Sequence, residues 1–371
     1  MEFVMPCLFG LEGPLANELK RIQLPNVRAE NGRVRFSGSF QDMAQANIRS
    51  RFGERVLIEL ASFDAMSFED LFQGTLNTPW EDFIPKDGAF PVKGHSLNSK
   101  LHSVPDCQKI IKKAVVERLK KKYGVSWFAE TGTLYQIQFA IMKDRVSLYL
   151  DTSGAGLHKR GYRPAHLAAP LRETLAAAMV DFARYRGKGD FADPFCGSGT
   201  IAIEAALMAK NRAPGLYRSF SADKWGCVDK KVWQLTREEA IDREFKGTYN
   251  IVASDIDPVA VEISQKNAAR AHVEDIIDFR LADAVTFGGK TEGGVIVTNP
   301  PYGERLLDRQ GAEALYKDFG RTYKGLENWK LFILSSHPEF EHYFGKKADK
   351  KRKLYNGMIK CEMYSYDGWK K

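Results

Sequence analysis

Two short segments of the chain could do chemistry together. Thr298-Asn299-Pro300-Pro301-Tyr302-Gly303 directly follows a buried-strand pattern, Val295-Ile296-Val297, and well upstream the chain reads Asp193-Pro194-Phe195-Cys196-Gly197-Ser198-Gly199-Thr200. An amino nitrogen conjugated to a ring or a carbonyl is a poor nucleophile, because its lone pair is delocalised. The Asn299 side-chain carbonyl and the Pro300 backbone carbonyl can each accept one N–H of such an amine, which aims its lone pair outward. Pro300 and Pro301 stiffen the loop, so the acceptors are placed before substrate arrives. Tyr302 offers a face on which an extruded base could stack, worth about 1–3 kcal/mol. Holding an in-line attack supplies roughly 7–11 kcal/mol, whereas a general base gives only about 10²–10⁴ in rate. The lack of His or Glu at this motif is therefore no objection. The expected chemistry is methylation of an exocyclic or amide nitrogen by an activated donor, with Asn299, Pro300, Pro301 and Tyr302 as the catalytic set.

The glycine loop indicates the donor. Gly197-Ser198-Gly199-Thr200-Ile201-Ala202 satisfies a dinucleotide pattern, a weak signal alone. A dinucleotide site needs an acidic residue roughly 20 residues beyond the loop. Here the next strand ends at Asp255, much farther on. Asp193, ahead of the loop, would repel a pyrophosphate but suits the cationic amine and sulfonium of S-adenosylmethionine. Asp255 can accept both ribose hydroxyls, Asp257 caps the helix that begins at Pro258, and Asp283 can accept the adenine amino group. The expected cofactor contacts are Asp193, Phe195, Gly197, Gly199, Thr200, Asp255, Ile256, Asp283, Ala284 and Asn299. Cys196 is a small loop residue with nothing nearby to make it a nucleophile.

The elements that must position these loops alternate from residue 166 onward. Strands are predicted at 190–192, 250–254, 276–281, 295–298 and 329–335, with helices at 200–210, 258–271 and 311–325. That order implies an α/β fold with a mostly parallel, doubly wound sheet. Two strands around Asn356-Gly357, at 351–355 and 358–366, form a terminal hairpin. A parallel sheet finished by an antiparallel hairpin is the ending of a class I methyltransferase. Residues 212–246 are an insertion of helical character whose role is not legible.

Residues 1–60 read as a small α+β unit, with strands at 2–8, 33–36 and 55–63 and helices at 14–22 and 43–52. Residues 61–165 hold a helix at 68–74, strands at 89–93, 133–141 and 146–150, and a long basic helix at 105–123 with Ser103 as its cap. In that helix Ile111, Ala114, Val115 and Leu119 form the apolar stripe, and Lys109, Lys112, Lys113 and Lys120–Lys122 cover the other side.

The net charge of +8 is concentrated. Between residues 100 and 163 there are 13 Lys/Arg against 5 Asp/Glu, and the remainder carries 42 of each sign. A basic stripe in an otherwise neutral chain is the footprint of a polyanion partner. The five cysteines are scattered with no C-x-x-C pair, so neither zinc nor a disulfide framework is expected. The opening Met1-Glu2-Phe3-Val4 has no basic n-region and no stretch reaches membrane-spanning length, so a cytoplasmic protein without membrane or metal partners is expected.

Taken with these motifs, the chain resembles the THUMP-domain RNA guanine-N2 methyltransferases, most closely the bacterial 23S rRNA enzymes, some of which are fused to a second methyltransferase. Residues 1–60 resemble the family's ferredoxin-like domain. Residues 61–155, through Val92-Lys93-Gly94-His95-Ser96 and the basic helix, resemble THUMP, and residues 156–371 the methyltransferase domain. Leu157-His158-Lys159-Arg160-Gly161-Tyr162-Arg163 and Ala169-Pro170-Leu171-Arg172-Glu173-Thr174 look like its lead-in. The resemblance implies S-adenosylmethionine as donor, structured RNA as partner and guanine N2 as acceptor. Lys109, Lys112, Lys113, Lys120, Arg160 and Arg163 are the expected RNA contacts. A tRNA guanine-N2 enzyme shares the architecture, and adenine-N6 and glutamine methyltransferases share the asparagine motif. An RNA-binding assembly factor and a nicotinamide oxidoreductase fit less well.

Overall fold

Short strands with alternating burial build the first unit. In the computed structural model, which describes residues 1–163, 171–289, 293–302 and 308–368, this unit gathers Met1–Cys7, Leu15–Leu157 and Arg218–Glu239. Its elements are β1 (Glu2–Pro6), α1 (Glu12–Arg21), β2 (Arg28–Glu30), β3 (Arg33–Ser37), α2 (Phe40–Arg49), β4 (Leu57–Asp64), α3 (Phe68–Leu76), β5 (Val92–Leu97), α4 (Val104–Tyr123), β6 (Ile137–Met142) and β7 (Arg145–Asp151). The strands form one sheet in the order β2-β3-β1-β4-β7-β6-β5. The first two sequence blocks are thus not separately cored: β4 of one pairs antiparallel with β7 of the other.

Local chemistry explains the boundaries. Ser39 and Ser67 open α2 and α3 with capping boxes to Asp42 and Asp70, which starts α2 three residues before its apolar run. Ser103 sits at the N-cap of α4, but its hydroxyl donates to Asp106 Oδ2 instead of capping the backbone. The stripe read from the sequence is the buried one: Cys107, Ile111, Ala114, Val115 and Leu119. Tyr135, Ile137, Phe139 and Ile141 face the core together, and each large side chain so buried contributes about 1.5–3 kcal/mol. Strand β5 begins three residues later than expected, and Ala89 makes only an isolated bridge to Leu134. Within the insertion, residues 218–239 belong to this unit: Trp225 stacks on Tyr135 at 5.0 Å and donates its indole N–H to the Leu134 carbonyl.

The second unit comprises Leu8–Pro14, His158–Tyr217 and Ala240–Lys371. It contains α5 (Glu173–Phe182), β8 (Asp190–Asp193), α6 (Thr200–Ala209), β9 (Asn250–Asp255), α8 (Pro258–Arg270), β10 (Ile277–Leu281), β11 (Gly294–Thr298), α9 (Arg309–Lys324), β12 (Trp329–Ser335), α10 (Phe340–Phe344), β13 (Lys350–Asn356) and β14 (Ile359–Tyr366). The helix α7 (Lys230–Asp242) lies in the insertion. The sheet order is β10-β9-β8-β11-β12-β14-β13, parallel from β10 to β12, with β14 antiparallel to both its neighbours. Gly357, at φ +66, closes the terminal hairpin. This is the doubly wound sheet with the antiparallel ending that the sequence implied. Strand order reverses between β8 and β11, and ligands of such sheets bind outside the strand carboxyl ends at that reversal.

Candidate active site

The two chemistry-bearing segments meet at this reversal. Asp193 ends β8 and Thr298 ends β11. Thr298 Oγ1 donates to Asp193 Oδ1 at 2.7 Å, so a side-chain bond ties the two strand tips together. The Phe195 N–H adds a weaker contact at 3.4 Å. Asp193 is only 1% exposed, and burial, outweighing the Thr298 hydrogen bond and reinforced by the charge of Asp255, pushes its carboxyl up to about 7. A buried acid with hydrogen bonds but no paired cation among the described residues is suited to receive one.

Asp255, at the tip of β9, accepts the Gly197 N–H at 2.9 Å through one oxygen and the Asp257 N–H at 3.0 Å through the other. It clamps the glycine loop and still presents lone pairs outward. Gly199 lies at φ +81, and a Cβ there would come within 2.8 Å of Ser264 Cβ, so both conformation and the approach of α8 require glycine. The loop is also fastened from behind, because Asn267 of α8 donates to the Ser198 carbonyl at 2.9 Å. Sequence reasoning did not single out Asn267. It is a polar residue on the buried face of α8, 69 residues from the carbonyl that it meets.

The other expected contacts divide. Asp257 caps α8 by accepting the Val259 N–H, as anticipated. Asp283 accepts the Val285 N–H, so one of its oxygens serves as a cap. Ile256 is 68% exposed and Leu281 62% exposed, leaving apolar side chains in water at the two adjacent strand ends. Phe195 turns its ring edge-on to Phe319 at 5.1 Å, and Ala284 is buried in the same core cluster; both side chains serve packing. Burial raises the Cys196 thiol far from the thiolate range, which removes it as a nucleophile.

Tyr302 departs from expectation. Its ring is half-buried, and its hydroxyl donates to Asn299 Oδ1 rather than the ring standing open as a stacking face. An amide carbonyl at a strand tip needs a donor, and the tyrosine three residues on supplies it. That bond occupies one lone pair of the amide oxygen and leaves the second able to accept. Tyr316 donates to the Pro301 carbonyl at 2.9 Å, which pins the second proline to α9. Gly303, Arg305, Ala169 and Pro170 lie outside the described residues.

The basic set also needs correction. Arg160 is buried, 3.4 Å from Glu204 of α6, and the Tyr162 hydroxyl donates to the same carboxylate. Arg163 is forked onto Glu173, with Nε at 2.9 Å and Nη2 at 2.7 Å. Both guanidinium groups are drawn from the surface to a buried carboxylate, the side chains being 2% and 11% exposed. Lys112 donates to the Phe90 carbonyl at 3.0 Å, pairs with Glu130 and lies over the Phe90 ring; burial lowers its ammonium. Lys109 and Lys113 are exposed, and Lys120 lies 3.1 Å from Glu117. Lys121 and Lys122 are exposed as well. Lys112→Ala is expected to lower the melting temperature while leaving the salt slope of RNA binding unchanged. Lys121→Glu with Lys122→Glu should weaken RNA binding and flatten that slope by about 1 per lost phosphate contact. Fluorescence titration at several salt concentrations separates the two.

A seven-stranded sheet of this order, with an acid and a glycine loop at one strand tip and an amide carbonyl at the next, defines a class I methyltransferase. The residues fit S-adenosylmethionine: among the described residues a desolvated acid lacks a cation, and apolar side chains stand exposed at the neighbouring strand ends. The family model described as an RMKL-like methyltransferase domain matches residues 160–365, that of the RlmL ferredoxin-like domain residues 2–57, and that of the THUMP domain residues 65–151. The chain therefore belongs to the RMKL-like, THUMP-containing methyltransferases, whose methyl donor is S-adenosylmethionine. It is 43% identical to "Putative RNA methyltransferase YpsC" of Bacillus subtilis (strain 168), over 98% of this chain and 94% of that protein. It is 34% identical to the ribosomal RNA large subunit methyltransferase K/L of Psychromonas ingrahamii, over 99% of this chain but 50% of that protein, so the chain spans about half the K/L length. The solved structure of SMU.472, "a putative methyltransferase complexed with SAH", superposes with a TM-score of 0.94 at 38% identity, covering 100% of this chain and 98% of that one. Among the described residues, no helix is long and apolar enough to cross a membrane and no group of His, Cys, Asp or Glu could hold a metal ion.

Proposed function

We propose that the protein methylates the exocyclic N2 of a guanine in structured RNA, with 23S rRNA as the substrate. The observation that carries the reading is the Asn299 carbonyl at the tip of β11, one residue from the Thr298 hydroxyl that binds Asp193. In this reading the Asn299 Oδ1 and the Pro300 carbonyl each take one N–H of the guanine amine, Oδ1 using the lone pair that the Tyr302 hydroxyl leaves open. The Asn299 and Pro300 acceptors orient the lone pair and then stabilise positive charge growing on nitrogen. When bound, the donor supplies an electrophilic methyl group, so no strong base is required. Asp193, Asp255 and Asp283 hold its amine, ribose and adenine.

The THUMP match and the names of the relatives support RNA, and the name K/L supports large-subunit rRNA. Guanine comes from the family resemblance, since the asparagine motif serves adenine as well. The test uses purified protein, isotopically labelled donor and separate pools of 23S rRNA, 16S rRNA and tRNA, followed by nucleoside mass spectrometry. Label in N2-methylguanosine from 23S rRNA is expected. Label confined to tRNA would move the substrate, and label in N6-methyladenosine would reject the guanine assignment.

A further inference from the structure

The amino-acid half of the cofactor is a zwitterion. Asp193 is suited to its amine, which leaves its α-carboxylate to be placed. Arg163 was expected at an RNA surface, yet its guanidinium reaches the glycine loop. Nη1 donates to Thr200 Oγ1 at 3.0 Å, and Thr200 Oγ1 lies 3.2 Å from Ser198 Oγ. Glu173 takes the Nε and Nη2 edge of the fork, so the Nη1 end is held toward the loop, where Thr200 is its acceptor among the described residues. Glu173 and Thr200 are both buried, and the Arg163 side chain is only 11% exposed. A cation this desolvated and this tightly aimed does little for a surface. A few residues on from Thr200, the carboxylate of α6 is met at Oε1 by Arg160 and Tyr162.

We infer that Arg163, with the Ser198 and Thr200 hydroxyls, forms the subsite for the α-carboxylate of S-adenosylmethionine. Glu173 is the positioning residue that fixes the guanidinium plane. A carboxylate here displaces the weak hydroxyl–hydroxyl contact and gains a charge-assisted bond from Nη1. The inference rests on the cofactor and not on the choice of guanine or of rRNA.

The test compares two ligands by calorimetry: S-adenosylhomocysteine and the aminopropyl thioether of adenosine that lacks only its carboxylate. Wild-type protein should bind the first at least tenfold more tightly, the range expected for one charge-assisted hydrogen bond. Arg163→Gln should erase most of that preference by weakening S-adenosylhomocysteine alone. Since that change strands Glu173, the Arg163→Gln/Glu173→Gln pair keeps the site neutral and should behave the same, while Arg163→Lys should restore part of the preference. Equal binding of the two ligands by wild-type protein overturns the inference without any variant. So does a preference that survives Arg163→Gln, or an equal loss of both ligands, which would mark Arg163 as only a brace. Absence of S-adenosylhomocysteine binding in the wild type would instead strike at the cofactor assignment itself.

Discussion

Asn299→Ala is expected to slow methyl transfer by about 10²–10³-fold, the loss seen when one preorganised polar group is removed from a charge-stabilising site. S-adenosylhomocysteine should still bind within about threefold of wild type, because Asp193, Asp255 and the glycine loop are untouched. The two measurements together carry the argument. Lost turnover with intact binding separates an acceptor for the amine from a brace for the cofactor. The Tyr302 hydroxyl, which bonds Asn299 Oδ1 here, loses that acceptor, so a thermal melt accompanies the assay to separate lost chemistry from lost stability. Turnover near the wild-type rate would remove Asn299 from the chemistry and leave the proline turn as mere strand termination.

The second large effect belongs to Asp193. Its carboxyl is pushed up to about 7 by burial, against about 3.9 for an unperturbed aspartate. In the cofactor-free protein the folded state therefore holds a proton that the unfolded chain releases. This contribution to stability is complete below the unfolded value and is lost as pH rises through 7. Cofactor binding has the opposite preference, since an ammonium requires the carboxylate. Affinity for S-adenosylhomocysteine should fall by up to tenfold for each pH unit below about 7, with proton release on binding visible in buffers of different ionisation enthalpy. Asp193→Asn should flatten both dependences and weaken binding by roughly 10–100-fold, the scale of one charge-assisted bond. A binding curve that is level from pH 5.5 to 8 would show that no amine meets this acid.

Much of this architecture was legible because its signals are local and periodic. The α4 stripe, the alternation through Tyr135, Ile137, Phe139 and Ile141, and the Asn356-Gly357 turn each state their structure within a few residues. Strand β2, three residues of Arg-Ala-Glu at a sheet edge, has no alternation to read. The charged side chains misled for a different reason. Composition counts a guanidinium but does not say where it points, and the partners of Arg160 and Arg163 lie 44 and 10 residues away. One clue was present: Glu204 is the lone charged residue in Thr-Ile-Ala-Ile-Glu-Ala-Ala-Leu-Met-Ala, a helix buried all round. A carboxylate in such a place demands a buried cation. The attachment of residues 218–239 to the first unit had no comparable trace, because it is made by contacts far apart in sequence: Trp225 on Tyr135, Ala222 N–H to the Thr152 carbonyl, Gln41 to Thr236 and Arg218 to the Ala155 and Gly156 carbonyls.

The shared sheet of the first unit has a practical consequence for anyone dividing the gene. A fragment ended at residue 60 would cut β4 in the middle and bare the edge of Leu57–Glu59 that β7 covers, and an uncovered edge is a template for aggregation. A fragment ended at residue 157 would keep the sheet whole but strip Trp225 from Tyr135 and expose a large aromatic surface. The amino-terminal unit is spliced together in space from stretches that translation delivers far apart, so its last piece, Arg218–Glu239, arrives only after residues 158–217 of the other unit have been made.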